Sequence, residues 1–182
     1  FVSPFERAAL HSIDGFGDFV STMWGTGCGN KIDVTGWVEF PHSMGLLYTA
    51  ITQYLGFAKY GDEFKVMGLA PYGEPEFVDA IRKLVTRTGK GGFQLDLSYF
   101  VHHTTGVNMT WDSGSPTIGD VFSDRLETLL GPRRQPGDPL DARHRNLAAS
   151  LQAVLEEVVF ALLRGLAAKT RLTHLCLAGG LV

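Results

Sequence analysis

The first forty residues alternate apolar and polar positions with the period of two that is typical of β-strands. Strands are predicted at residues 8–13, 19–24 and 31–40, where β-branched and aromatic residues are frequent. The segment 14–18 has the aspartates and glycines of a tight turn, and residues 25–30 are predicted to form a second, glycine-rich turn. The pattern therefore predicts an antiparallel meander of three strands.

After residue 42 the apolar positions recur with the spacing of a helix. Helices are predicted over residues 43–56, 62–70 and 75–85. Ser43 and Asp62 are the predicted N-cap residues of the first two, because their side-chain oxygens can accept from free backbone amides. This segment is expected to pack its apolar helix faces into the core.

The second half is less regular until its final quarter. Residues 93–117 are predicted to be irregular, with a short strand at 93–95 or at 99–101 and a long polar loop over 104–116. Weak helical character follows over 118–130, and then a proline-rich connector over 131–139.

The strongest single element is a predicted helix over residues 141–169, which has an apolar stripe on one face. At 1.5 Å per residue it would be about 40 Å long. It leads to a strand at 173–177 and to the turn Gly179-Gly180. Together the elements predict one domain of mixed α/β (α+β) class over residues 1–182.

Composition narrows the class of protein. The chain has 182 residues, of which 45% are hydrophobic and 19% charged, and its net charge is −3. This excludes a disordered tail and gives no basic surplus for nucleic acid or an anionic membrane. No apolar stretch approaches the length of a membrane span, and two cysteines, Cys28 and Cys176, are too few for a disulfide framework. We therefore expect reduced thiols, a cytoplasmic location, and no nucleic-acid or membrane partner.

Asp14-Gly15-Phe16-Gly17-Asp18 is the first candidate site. Glycines in such a turn allow successive backbone N–H groups to point one way and bind a phosphate. The two flanking carboxylates can hold a divalent metal or position a hydroxyl. The alternative is a hairpin turn that needs aspartate and glycine for its conformation only.

Ala178-Gly179-Gly180 is the second candidate, because a buried strand that runs into a Gly-Gly turn allows close backbone approach to a nucleotide. A plain strand-terminal turn is an equal alternative.

The third candidate is the segment that contains Lys65 and Gly68. A cation in the first turn of a helix opposes the helix dipole and makes sense beside a bound anion. A helical glycine indicates close packing or ligand approach. A solvated lysine and a packing glycine are the competing interpretation.

Several of the chain's segments, taken in order, resemble the O-carbamoyltransferases of the NodU and CmcH type, known from nodulation-factor and antibiotic biosynthesis. The most specific of them is Lys65-Val-Met-Gly-Leu-Ala-Pro-Tyr-Gly73. The others are Ser3-Pro-Phe5, Asp14-Gly-Phe-Gly-Asp18, Phe40-Pro-His-Ser-Met-Gly-Leu-Leu-Tyr-Thr-Ala50, Tyr54-Leu-Gly-Phe57, Asn146-Leu-Ala-Ala-Ser-Leu-Gln152 and Leu175-Cys-Leu-Ala-Gly-Gly180.

The resemblance implies part of the N-terminal domain of such an enzyme, similar to the actin-like ATPase and sugar-kinase superfamily with its ribonuclease-H-like sheets. A second, YrdC-like domain, absent from this chain, would make carbamoyl-adenylate from carbamoyl phosphate and ATP. The domain seen here would transfer the carbamoyl group to a hydroxyl of a small-molecule or sugar acceptor. The polar loop over 103–117 and the helix over 43–56 are expected to frame that acceptor.

The resemblance also assigns roles to residues. Asp14 would be a carboxylate ligand of a divalent metal, iron or similar, whose other ligands lie mostly outside this chain: two histidines before Phe1 and an aspartate after Val182. Asp18 is the candidate base or supporting carboxylate. The nucleotide would be held by six residues: Gly15, Gly17, Lys65, Gly68, Gly179 and Gly180.

Without those outside ligands, the piece alone is expected to be inactive. Three alternatives stay open: an actin-like kinase or ATPase, a non-catalytic nucleotide-binding module, and a scaffold domain whose glycine turns are only turns.

Overall fold

The computed structural model describes residues 3–89, 91–111 and 114–181. They form two compact units, each assembled from separate stretches of the chain. The first comprises residues 1–45, 87–94 and 157–182, and the second comprises residues 46–86 and 95–156.

The described residues contain the predicted mixture of helices and strands. The strands are β1 Arg7–Ile13, β2 Val20–Cys28, β3 Lys31–Glu39, β4 Val85–Arg87, β5 Phe93–Leu95, β6 Met109–Thr110, β7 Thr117–Ile118 and β8 Leu175–Ala178. The α-helices are α1 Met44–Tyr54, α2 Glu63–Leu69, α3 Val78–Ile81, α4 His102–Thr105, α5 Arg125–Leu130 and α6 Ala142–Thr170. Single 3₁₀ turns lie at Ala70–Tyr72, Arg82–Leu84 and Leu97–Tyr99.

The first unit is built on a four-stranded sheet of order β3-β2-β1-β8. The predicted meander is confirmed, because β1–β2 and β2–β3 are antiparallel pairs. The late strand β8 lies parallel to β1, with Ala9 opposite Leu175 and Ser12 opposite Ala178. The sheet is therefore mixed, and its two central strands carry the buried side chains Ala9, Ile13 and Trp24.

The predicted glycine turn at residues 25–30 is wrong in most of its length. Strand β2 continues to Cys28, and only Gly29 and Asn30 form the turn. A Cβ on Gly25 would lie 2.0 Å from the carbonyl oxygen of Asp33, beside an irregularity in the β2–β3 register. Gly25 is thus required by the close approach of two strands and does not mark the end of one.

In the second unit, several predicted elements are shorter than their apolar patterns suggest. The predicted helix over 75–85 consists of α3 and a 3₁₀ turn, and then the chain becomes strand β4. The predicted helix over 118–130 is limited to α5. The segment 99–101 is not a strand; Phe100 makes only a single bridge to Phe122.

Gln53 of α1 explains the extended conformation of residues 118–121. Its Nε2 donates to the carbonyls of Ile118 and Gly119, at 3.1 and 3.0 Å. Its Oε1 accepts from the amide of Val121 at 3.0 Å. Because these backbone groups bind the glutamine, they are not available for a helix, and tertiary contacts override the local pattern.

The polar loop predicted over 104–116 also has internal structure. Strand β6 within it pairs with β7 as a short antiparallel ribbon. Residues 112 and 113 of the same prediction lie outside the described residues.

The predicted long helix is confirmed as α6, of 29 residues. The residues predicted for its apolar stripe are buried except Leu155, which is half-buried; the buried ones are Leu147, Leu151, Val154, Val158, Leu162 and Leu166. The expectation that no segment is long and apolar enough to cross a membrane is wrong for this helix, judged by length and composition. Its most apolar window is 44% buried within the protein, and a single helix of this kind is weak evidence for a membrane span.

Candidate functional site

Two glycine-containing bends from opposite ends of the sequence lie in contact in the first unit. Because β1 and β8 are parallel neighbours, the bends that follow them leave the same edge of the sheet. The amide of Leu181 donates to the carbonyl of Ile13 at 3.3 Å. A Cβ on Gly180 would lie 3.5 Å from Oδ1 of Asp14. The two bends that the sequence offered as separate candidate sites are therefore neighbours in the fold.

Two of the glycines are required by the backbone itself. Gly179 has φ +101°, and a Cβ there would lie 2.0 Å from the carbonyl oxygen of Ile13. Gly17 has φ +40°, and its Cβ would lie 2.5 Å from the carbonyl oxygen of Val20. A side chain at either position would meet both an unfavourable conformation and a steric clash.

The backbone amides of the bends divide into engaged and available donors. The amide of Gly15 donates to Oδ1 of Asp14 at 2.7 Å. The amides of Gly17, Gly179 and Gly180 donate no hydrogen bond to any of the described residues. Three N–H groups at the meeting point are thus available to an anion, whereas the amide of Gly15 is satisfied by its neighbour.

The start of α1 supports the first bend. The hydroxyl of Ser43 donates to the carbonyl oxygens of Gly15 at 2.5 Å and of Asp14 at 3.3 Å. A Cβ on Gly45 would lie 2.5 Å from Cα of Gly15, so only glycine permits this approach. The partial positive charge of a helix N-terminus favours an anion at the same place.

Sequence reasoning did not assign a role to Ser43 beyond a helix cap or to Gly45 at all. The signal was the Ser-Met-Gly sequence at the beginning of a helical pattern. A glycine in a first helical turn indicates close backbone contact with another segment.

The carboxylates of the bend are exposed to solvent. Oδ1 of Asp14 accepts from Gly15, and its second oxygen accepts no hydrogen bond from the described residues. Asp18 follows Gly17 directly and is likewise exposed. Within the described residues no group of three or more histidine, cysteine, aspartate or glutamate side chains is close enough to hold a metal ion. The described residues therefore do not make a complete metal site, and a role for Asp14 as a metal ligand stays a prediction.

Lys65 and Gly68 belong to the second unit. Nζ of Lys65 lies 2.7 Å from Oδ1 of Asp62 and over the rings of Phe57 and Phe64. The lysine thus has a carboxylate partner on its own helix. The predicted N-cap bond of Asp62 is absent: the other carboxylate oxygen accepts from the amide of Lys59 instead.

A Cβ on Gly68 would meet no atom within 4 Å. Close packing within the described residues therefore does not explain this glycine, and ligand approach stays a prediction.

The most specific sequence segment ends against the first half of α6, within the second unit. A Cβ on Gly73 would lie 2.1 Å from the carbonyl oxygen of Arg145. Oδ1 of Asn146 accepts from the amide of Glu74 at 2.9 Å, and its Nδ2 donates to Oε2 of Glu76 at 2.8 Å. Two of the segments that carry the family resemblance thus bind each other.

His11 lies on β1, three residues before Asp14, and is buried beside Trp24. Neither of its ring nitrogens has a hydrogen-bond partner among the described residues. Burial lowers the pKa of His11 from 6.5 to about 4. The imidazole is therefore neutral at physiological pH and part of the core.

Comparison with known proteins identifies the family of this chain. The sequence matches the family described as Carbamoyltransferase N-terminus over residues 1–182. It is 41% identical over 181 residues to the uncharacterized protein sll1178 of Synechocystis, covering 99% of this chain and 28% of that protein.

Two nodulation proteins are also similar. The chain is 35% identical over 182 residues to NolO of Bradyrhizobium diazoefficiens, covering 98% of the chain and 28% of that protein. It is 33% identical over 180 residues to NolNO of Sinorhizobium fredii, covering 98% and 23%.

The chain belongs to the carbamoyltransferase N-terminal family, as its sequence segments predicted. It spans about a quarter of the length of the curated relatives that it matches.

Proposed function

We propose that this chain is the acceptor-carbamoylating part of a larger cytoplasmic O-carbamoyltransferase with an actin-like ATPase fold. The reaction moves a carbamoyl group from carbamoyl-adenylate, made from carbamoyl phosphate and ATP, to a hydroxyl of a small-molecule or sugar acceptor. Membership of the carbamoyltransferase family supports the reaction class. The observation that supports a site in this chain is the contact between the two bends, in which three glycine amides donate no hydrogen bond to the described residues.

The roles of these groups follow from the charges in the reaction. The amides of Gly17, Gly179 and Gly180 donate to the oxygens of the adenylate phosphate, which becomes the leaving group. The acceptor oxygen forms a bond to the carbamoyl carbon while the bond from that carbon to the phosphate oxygen breaks and AMP departs. Asp18, exposed beside Gly17, receives the hydroxyl proton.

Asp14 is proposed as one ligand of a divalent metal that neutralises phosphate charge; its remaining ligands are not among the described residues. The charged side chains of the first bend, Asp14 and Asp18, are both acidic, and a cation would reduce their repulsion of a phosphate. Lys65 and Gly68 are proposed, on the family resemblance of their segment, to contact a nucleotide phosphate. Lys65 would then exchange its bond with Asp62 for one with phosphate.

Substitution of Asp14 tests the proposal. In the complete enzyme, Asp14→Asn should lower carbamoyl transfer at least 100-fold, because it keeps the shape but removes the charge. Asp79→Asn is the matched control, since Asp79 is an exposed aspartate that pairs with Arg82 in the second unit. The assay follows carbamoylated product and AMP with carbamoyl phosphate, ATP and Mg²⁺ or Fe²⁺ present.

Two results would contradict the proposal. One is equal transfer by the Asp14→Asn and Asp79→Asn proteins. The other is ADP formation by the wild-type enzyme without carbamoyl phosphate and without carbamoylated product, which would instead support an ATPase or kinase.

A further inference from the structure

Three phenylalanines form an exposed aromatic cluster beside the first bend. The rings of Phe16 and Phe40 are stacked, with centroids 5.6 Å apart and 20° between their planes. Phe19 meets Phe40 edge to face at 6.4 Å. Phe19 is 73% exposed and Phe16 is 39% exposed. Burial therefore does not account for the presence of two large apolar rings at this position.

A phenylalanine at position 19 is also unusual because of its backbone conformation. Phe19 has φ +75°, a conformation that glycine or asparagine adopts at lower cost. The turn uses the backbone of this residue, whose carbonyl accepts from the amide of Phe40 at 2.8 Å. Since any residue supplies that carbonyl, the turn does not require the exposed ring. Strained residues of this kind are concentrated at ligand sites.

A groove lies next to the cluster in the same unit. It has a volume of about 930 Å³, and Phe40 lines it together with Trp37 and Glu39. Trp37 is 54% exposed, and its indole N–H donates to Oε1 of Glu39 at 2.7 Å. The volume is sufficient for a ligand of several rings.

The charges around the cluster indicate the chemistry of the ligand. Three carboxylates lie in the segments that carry the cluster, Asp14, Asp18 and Glu39, and His42 also lines the groove. Carboxylates accept hydrogen bonds from hydroxyl groups and repel phosphates. Aromatic faces bind the apolar C–H face of a ring. The combination of aromatic rings with Glu39 fits a neutral or amino-bearing sugar ring.

We propose that Phe16, Phe19 and Phe40, with the groove at Trp37 and Glu39, bind the sugar ring of the acceptor and place its hydroxyl beside Asp18. This inference rests on the proposed function, because it identifies the acceptor class of the same site. It places the acceptor at the first bend and β3, whereas the resemblance led us to expect it between the polar loop over 103–117 and the helix over 43–56.

Saturation-transfer NMR with defined probes tests the proposal on the chain as it stands. The probes are methyl β-glucoside, glucosamine and N-acetylglucosamine tetramer as sugars, and adenosine and AMP as nucleotide controls. At least one sugar should bind in the absence of ATP, with signal transfer strongest to ring C–H protons. Phe19→Gly should weaken that binding at least tenfold while removing the conformational strain, and Phe16→Leu should weaken it independently.

Phe160→Ala is the matched control, because Phe160 is a half-exposed phenylalanine on α6. It should leave sugar binding unchanged. The proposal is overturned if no sugar binds, if Phe19→Gly and Phe16→Leu bind sugar as the wild type does, or if only the nucleotide probes lose binding in these variants.

The binding assay uses no carbamoyl donor, so the two proposals fail separately. If Phe16→Leu and Phe19→Gly change neither sugar binding nor the acceptor KM of an enzyme that transfers carbamoyl groups, the aromatic site alone is refuted. Intact sugar binding in a complete enzyme that does not transfer carbamoyl groups refutes the proposed function alone.

Discussion

Replacement of Gly179 by alanine separates the structural and the ligand-binding contributions of the Gly-Gly bend. The new Cβ would lie 2.0 Å from the carbonyl oxygen of Ile13, which is backbone and cannot rotate away. The backbone would also keep φ +101°, where a residue with a Cβ is strained. The end of β8 must therefore move away from β1 or lose its pairing.

The expected loss in the free energy of unfolding is the sum of the backbone strain and the steric shift. An unfavourable backbone conformation costs about 1–3 kcal/mol. A forced shift in a packed region costs about another 1–3 kcal/mol. A loss of about 3 kcal/mol in the free energy of unfolding lowers the melting temperature of a chain of this size by about 6–12 °C.

The neighbouring glycine provides the control. At Gly180 a new Cβ would have Oδ1 of Asp14 at 3.5 Å as its nearest contact, an ordinary van der Waals distance. Gly180→Ala should leave the free energy of unfolding unchanged or raise it by up to about 1 kcal/mol, because alanine restricts the unfolded chain. In the complete enzyme it should nevertheless lower carbamoyl transfer, since the methyl group would lie against the carboxylate of Asp14.

Thermal unfolding of the three proteins, followed by circular dichroism, is the measurement. The melting temperature of a chain of this size falls by about 2–4 °C for each kcal/mol of lost stability. A melting temperature for Gly179→Ala within about 2 °C of the wild-type value would therefore refute the reasoning. Equal destabilisation by Gly180→Ala would refute the assignment of different roles to the two glycines.

The remaining predictions concern stability. In the wild type, the free energy of unfolding should fall between pH 6.5 and 4 by about 1.4 kcal/mol per pH unit, because the unfolded histidine takes up a proton in this range and the folded one does not. His11→Leu should abolish this loss. Urea titrations across this range would measure the slope, and an unchanged slope would contradict the assignment. Tyr54→Phe should cost about 1–2 kcal/mol, because the hydroxyl donates to the carbonyl of Gly131 and accepts from Arg143; the same change at exposed Tyr60 should have no effect. Asn146→Ala should cost about 1–2 kcal/mol by leaving the amide of Glu74 without its acceptor, and a stability equal to that of the wild type would show that this contact is dispensable.

The sequence predicted those elements whose periodicity agrees with their final environment. Strand β1 and the helix α6 are in this class, because each buries one regular face. Strand β3 was also predicted, although most of its residues are exposed. The parallel pairing of β1 with β8, which brings the two bends together, was not predicted, because no pattern in the sequence indicates which distant strands pair. The successful predictions depend on geometry that repeats along the chain.

The predictions failed where single side chains bind distant backbone. Gln53 keeps residues 118–121 extended, and Asp62 binds the amide of Lys59 and the side chain of Lys65 where a helix cap was expected. Ser43 could not be connected with the first bend, because no pattern in the sequence indicates which hydroxyl meets which carbonyl. Such contacts join residues of high sequence separation and have no periodic signature.

The pairing of β1 with β8 has a consequence for biosynthesis. Leu177 leaves the ribosome roughly 165 residues after its partner His11. At about 5–20 residues per second, this delay is about 10–30 s. During that interval β1 can pair with β2, but its other edge stays open to unrelated nascent chains. Translation that stops before residue 175 would therefore yield a polypeptide in which the edge of β1 stays unpaired and the two bends cannot meet, a natural substrate for chaperones and proteases.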